Sequence, residues 1–366
     1  MSTLCLLYLS FWTLLAQLES VYATQARVLI YSRTLGFRHD SIPTAIDVLK
    51  AKQESINVEF TSTEDPSQFT DSTLSGYDAL LFLSTTGEGK VLDADGIASF
   101  QKYLNLGGNF VAIHSASDTL RNTTCYTREL GASLPLETSR EFSLTSIQGS
   151  IFDYHPALQN FTVDVFGPSH PSTSMLPAQW TVQDEAYNFE SDPRALGAVV
   201  VLSANESSYV DTGVRRFDQG TPHPTAWYQE KGAGIQAGGV AGRSFYTSLG
   251  HLNETWQDEL FLSHVLGGIS WALQSNTTRA FNSSALVGNQ ENNSTATSTS
   301  VGPQPTKSPQ AQNNNAPGMA TSYVQATIIQ KLVDMLPKPF SRPSTAIIAG
   351  TLFVVVIGQV AVKLLK

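Results

Sequence analysis

The chain has 366 residues, of which 41% are hydrophobic and 10% aromatic, and a net charge of -9. That is ample for one sizeable core, and it lacks the clustered basic footprint of a nucleic-acid binder. The two cysteines are Cys5, in a leader-like segment, and Cys125, so an intrachain disulfide in the mature protein and a cysteine-rich zinc site are both excluded and Cys125 is expected to be a buried or idle thiol.

In chain order, Leu4 to Leu15 is an apolar core and Val21-Tyr22-Ala23 offers small residues for cleavage, which predicts a signal peptide over residues 1–23. No Lys or Arg precedes that core, so an uncleaved anchor is the alternative. Arg27 to Tyr31, Asn57 to Ser62, Asp78 to Leu83 and the run ending at Ile113 are short, β-rich and bounded by polar turns, so each predicts a strand. Pro43 is placed to open a helix after the first strand. Asp93 is placed to cap another, in which Ile97, Phe100 and Leu104 keep helical spacing until Gly107 stops it. This alternation predicts a single domain over residues 26–273, an α/β fold with a doubly wound, mostly parallel sheet.

Residues 274–320 are rich in Asn, Ser, Thr, Gln and Pro, a composition too polar to offset ordering entropy, and are expected to form a spacer. A juxtamembrane segment over 321–344 and an apolar stretch over 345–362 follow, the latter just long enough for a transmembrane helix. A GPI-type tail is the alternative, against which Lys363 and Lys366 argue. Acceptor sequons at Asn122, Asn160, Asn205, Asn253, Asn276, Asn282 and Asn293 agree with passage through the secretory pathway, with the protein lumenal or at the cell surface and carrying N-glycans at some of these sites.

Open α/β sheets bind ligands outside the carboxyl ends of their strands. The first strand runs into Arg38-His39-Asp40, the third into Thr85-Thr86, and the fourth into His114-Ser115-Ala116-Ser117-Asp118. Farther on, Asp184-Glu185 precedes Tyr187, His223 precedes Trp227, and Arg243 opens a run that ends at His251. A histidine that merely satisfies a loop carbonyl is the ordinary reading of any one of these. Four of them at strand ends, His39, His114, His223 and His251, point instead to one chemical site.

The same stretches resemble the ThuA-like family, named for trehalose utilisation, whose fold is flavodoxin-like and related to class I glutamine amidotransferases. The resemblance rests on Phe37-Arg38-His39-Asp40, Ser84 to Glu88, Phe110 to Ala116, Asp184 to Tyr187, His223 to Trp227, Gly242 to His251, and a closing helix-like run from His264 to Ala272. It implies a carbohydrate or oxidised-sugar ligand. On that reading His114, His39, Glu185 and His251 are the catalytic candidates, working by acid–base proton transfer in an isomerase, lyase or hydrolase. Arg38, Asp40, Thr85, Thr86, Ser115, Asp118, Tyr187, His223, Trp227 and Arg243 are the substrate-binding candidates, with Tyr187 and Trp227 suited to stacking on a sugar ring. One stretch departs from the family pattern: Leu134-Pro135-Leu136-Glu137 stands where a histidine is expected, which leaves the role of His155 open.

The amidotransferase relatives carry a nucleophilic cysteine where this chain has His114, so thioester chemistry is not expected here. Ser115 is the only substitute nucleophile, and its turn lacks the flanking glycines of a nucleophile elbow. Two further readings stay open. One is a zinc-type divalent cation held by some of His39, His114, His223 and His251, since neutral imidazoles with a carboxylate suit that metal. The other is an inactive carbohydrate-binding or scaffold module.

Overall fold

The structure is a computed structural model that describes residues 25–131 and 151–275. The expected leader, juxtamembrane segment and apolar tail, all but the first two residues of the spacer, the sequons Asn276, Asn282 and Asn293, and the Leu134 to Glu137 stretch lie outside the described residues. Among the described residues no helix is long and apolar enough to cross a membrane.

The first half alternates strands and helices. It comprises β1 (Ala26–Tyr31), α1 (Ser41–Lys52), β2 (Val58–Thr63), α2 (Asp71–Leu74), β3 (Ala79–Leu83), α3 (Ala94–Asn105), β4 (Asn109–Ile113) and α4 (Thr124–Glu129). The second half is mostly strand: β5 (Phe152–Tyr154), β6 (Gln159–Val165), β7 (Gln179–Asp184), β8 (Asn188–Phe189), β9 (Val199–Ala204), β10 (Pro224–Gln229) and β11 (Ser244–Thr247), closed by α5 (Glu259–Leu273). The central sheet has the order β2-β1-β3-β4-β11-β10-β9-β6-β7. The pairings from β2 across to β11 are parallel, and those from β11 across to β7 are antiparallel.

The sheet is therefore the expected doubly wound α/β sheet with an antiparallel extension. Strands β3 and β4 are buried at every residue, as interior parallel strands must be when helices cover both faces. One face packs α1, through Ala45 and Leu49, and α5, through Phe261, Val265 and Ile269. The other packs α3, through Phe100, Tyr103 and Leu104, and Tyr126 of α4. Asp93 caps α3 as its position predicts, its carboxylate accepting the Gly96 amide at 2.8 Å. Between β2 and β3 the helical connection is only the single turn of α2, behind a short 3-10 turn at Pro66–Gln68. Pro66 and Ser72 to Ser75 leave little sequence there with helical preference.

Glu129, on α4, is buried and accepts the Gly234 amide at 2.9 Å. Burial pushes its carboxyl up to about 8, opposed by that hydrogen bond. A carboxyl raised in the folded state contributes stability that is fully present below its unfolded value, 4.5, and that is lost as pH rises through the folded value. The unfolding free energy should therefore fall by on the order of a few kcal/mol across that window. Denaturant titrations at several pH values should show the fall in the parent and a much flatter profile in Glu129→Gln.

Candidate functional site

Four loops at the carboxyl edge of the parallel strands, and one at the end of β7, bring the site together. His114 follows β4 directly and opens a 3-10 turn, with φ at 56°. That left-handed backbone is uncommon outside glycine and is held at functional turns by surrounding structure. Here the brace is the Tyr246 hydroxyl, which donates to the His114 carbonyl at 2.9 Å. The His114 ring is fully buried, with Nδ1 2.7 Å from the Ser248 carbonyl oxygen. A carbonyl only accepts, so Nδ1 carries the proton and Nε2 is left with a lone pair.

Three polar groups converge on that lone pair. His39, on the loop between β1 and α1, places Nε2 at 3.0 Å, and its Nδ1 lies 3.3 Å from Ser115 Oγ. Tyr187 places its hydroxyl at 3.1 Å and His251, just beyond β11, places Nδ1 at 3.3 Å. Glu185 completes the group, with Oε2 3.2 Å from His251 Nδ1 and 3.7 Å from His114 Nε2. One ligand atom from each of His39, His114, Glu185 and His251 lies within 4.8 Å of all the others. His155 joins from the side, with Nε2 3.4 Å from Glu185 Oε1 and its ring stacked on Tyr187.

Burial is the main electrostatic influence. It lowers His39 to about 4, with the neighbouring His251 adding to the effect. It also lowers His114, assisted by His39 and opposed by the Ser248 carbonyl. His251 moves upward because Glu185 bonds to it. Burial pushes Glu185 upward, but the His251 hydrogen bond and the charges of His155, His251 and His39 bring it below its ordinary value. The result is two imidazoles held toward their neutral, lone-pair-bearing form, His39 and His114, beside a carboxylate held toward its ionised form that draws His251 toward protonation.

Asp184 holds this arrangement in place without touching its centre. The burial of β7 alternates strictly, which turns Trp180, Val182 and Asp184 inward. Its carboxylate accepts amides from Glu185 at 2.8 Å, Gly250 at 2.8 Å and His251 at 3.3 Å. Burial raises it to about 6 against those three bonds. Gly250 has φ at 132°, a conformation side chains rarely adopt, so the turn that presents His251 depends on glycine there.

Several expected residues lie beside the cluster as supports. Thr86 ties the His39 loop to the end of β3, and Thr85 is buried beneath, accepting from Thr119 at 2.9 Å. Arg38 and Asp40 flank His39 in sequence and are exposed, Arg38 pairing with Glu64 at 2.7 Å. Asp118 pairs with Arg121 at 2.7 Å.

Three expected residues lie elsewhere. Trp227 is fully buried in β10, donates from Nε1 to the Leu130 carbonyl at 2.7 Å and packs on Phe189 and Tyr246, so it has no face to offer a sugar. Arg243 precedes β11, at the amino edge opposite the cluster, where it bonds Glu230 and lies over Trp271. His223 is not a ligand candidate: its Nε2 bonds the Tyr187 carbonyl at 2.8 Å and its Nδ1 faces Glu206 at 3.0 Å. Its effect on the site runs through the position of Tyr187. Cys125 is buried, and burial pushes its thiol up to about 11, which leaves no reactive thiolate at neutral pH.

Sequence placed Asp184 among the converging segments only as the neighbour of Glu185 and left the role of His155 open; the structure brings both to the site. The period-two pattern of β7 is the signal that points to Asp184. His155 carries no local signal, because the short strand before it is not periodic.

The family described as trehalose utilisation, ThuA, matches residues 27–272. No curated protein matches the chain. Among solved structures, a ThuA-like protein from Bacteroides uniformis is 19% identical, with 71% of this chain and 97% of that one covered at a TM-score of 0.53. A ThuA-like protein from Parabacteroides merdae is 17% identical, with 69% and 92% covered at a TM-score of 0.49. A GMP synthase chain from Thermoplasma acidophilum is 14% identical, with 68% and 96% covered at a TM-score of 0.37. The first of these likenesses bears on fold alone. With the family match spanning the whole described domain, the chain belongs to the ThuA, or trehalose utilisation, family.

Proposed function

We propose that the chain is a metal-dependent enzyme acting on a carbohydrate or oxidised-sugar derivative, with His39, His114, His251 and Glu185 holding one divalent cation. The observation that carries this reading is the crowding of donors around the bare Nε2 of His114. One lone pair accepts one hydrogen, yet His39, His251 and Tyr187 all stand 3.0 to 3.3 Å from it. A shared cation satisfies such a set where a single proton cannot. Four donors about 2.0–2.1 Å from a zinc ion stand roughly 3.4 Å apart at the corners of a tetrahedron. The three measured separations that involve His251, His114 and Glu185 run from 3.2 to 3.7 Å.

A cation there supplies a Lewis acid for a sugar carbonyl or an activated water. Beside Glu185 but outside the ligand set, the exposed His155 is the side chain assigned to meet the substrate, while the buried Tyr187 turns its hydroxyl toward His114. The family description supports the carbohydrate class. The leader, the sequons and the apolar tail support a secretory, membrane-tethered setting with N-glycans on the exposed Asn122 and Asn160. The test is turnover by the full chain on a panel of sugars, sugar lactones and sugar acids. Turnover should vanish on chelation and return with a divalent cation. Turnover indifferent to exhaustive chelation returns the cluster to metal-free acid–base work, and a site that binds sugar but turns none over makes the protein a binding module.

A further inference from the structure

Phe37 is a large apolar side chain left 65% exposed against the buried His39 of the polar cluster, and Leu35, two residues before it, is 48% exposed. Their loop is nonetheless built rigidly. Thr34 bridges to Thr86, and the Leu35 amide donates to the Thr86 carbonyl at 2.9 Å. The Gly36 amide donates to Thr86 Oγ1 at 3.2 Å, and that hydroxyl donates to the Phe37 carbonyl at 2.8 Å. Gly87 has φ at 98°, and a side chain there would come within 3.0 Å of Leu35, so the loop lies hard against the turn after β3. The Phe37 ring meets the His39 ring edge-on, with centroids 4.7 Å apart.

A fixed, wet aromatic next to the cluster calls for a ligand with two kinds of surface. A wholly apolar ligand would leave the histidine and glutamate donors without partners, and a wholly polar one would leave Phe37 in water. A pyranose ring has both, an apolar C–H face and a rim of oxygens. We infer that Leu35 and Phe37 form the substrate subsite, taking the C–H face of a pyranose while a rim oxygen of the same ring reaches the cluster. The inference rests on the sugar reading of the site. Arg38 and Asp40, which flank His39 in sequence, are both exposed and add polar groups to the segment that follows Phe37.

The test uses the full chain, loaded with zinc and titrated with trehalose, glucose, gluconolactone and gluconate, with saturation-transfer NMR on each sugar that binds. Phe37→Ala removes only an exposed ring and leaves the backbone ties to Thr86, so it should fold like the parent. It should weaken binding at least about tenfold, or roughly 1.4 kcal/mol, with zinc content unchanged. Phe37→Trp should keep binding within about threefold of the parent, a range well under 1.4 kcal/mol, with saturation transfer strongest at ring C–H protons. Binding that survives Phe37→Ala at parental strength overturns the subsite, as does a parent that binds none of the four sugars. Phe37-dependent binding in a protein that takes up no zinc upholds the subsite and removes the metal reading instead.

Discussion

His114→Ala is expected to lower affinity for a divalent cation by well over 100-fold, beyond the 10–100-fold that loss of an outer-shell partner typically costs. The expectation follows from the position of His114, whose Nε2 is the atom on which His39, Tyr187 and His251 converge. The ring is fully buried rather than solvent-facing. Its loss should therefore also lower the stability of the metal-free protein by about 1–3 kcal/mol, since the Ser248 carbonyl loses the Nδ1–H it accepts. A competition titration against a chelating dye measures the first effect and chemical unfolding the second. Parental cation affinity in His114→Ala, with the variant folded, removes His114 from the centre of the site.

Asp184→Ala is expected to produce the largest loss of stability among the site variants. It deprives the amides of Glu185, Gly250 and His251 of the buried carboxylate they share. Each such group left unpaired costs about 1–3 kcal/mol, so a total of at least about 3 kcal/mol is expected. Cation affinity should fall with it, because Glu185 and His251 are two of the four proposed ligands and both are oriented by these bonds. Asp184→Asn keeps one acceptor oxygen and should recover part of both losses. Unfolding of the metal-free variants by urea separates the contributions, and an Asp184→Ala protein as stable as the parent contradicts the bracing role.

The parallel half of the fold was legible because its strands are short apolar runs that stop at polar turns, as β3 does at Ser84 and β4 at His114. A strand end locates a loop, and parallel strands put those loops on one edge, so His39, His114 and His251 could be grouped from sequence alone. The same logic, carried one step further, separates Arg243 from His251: one precedes β11 and the other follows it, which sets them at opposite edges. Trp227 went to the core because β10 is buried at all six residues, and an aromatic in such a strand has no open face.

The antiparallel extension was harder to read, since β11 returns beside β4 and β6 pairs with β9 across the intervening β7 and β8. Glu185 enters the site from that extension, and its closeness to His114 is a tertiary fact. The same holds for His155, which reaches the cluster from β5, a strand of the separate two-stranded sheet it forms with β8.

The proposed function requires one cation among His39, His114, His251 and Glu185. Elemental analysis of the full chain, purified without chelators and dialysed against metal-free buffer, tests it most directly when run beside a His39→Ala/His251→Ala double variant. Close to one transition-metal ion per parent chain is expected, and essentially none in the double variant. A folded parent that holds no metal, and takes up none when zinc, manganese, iron or cobalt is offered, contradicts it.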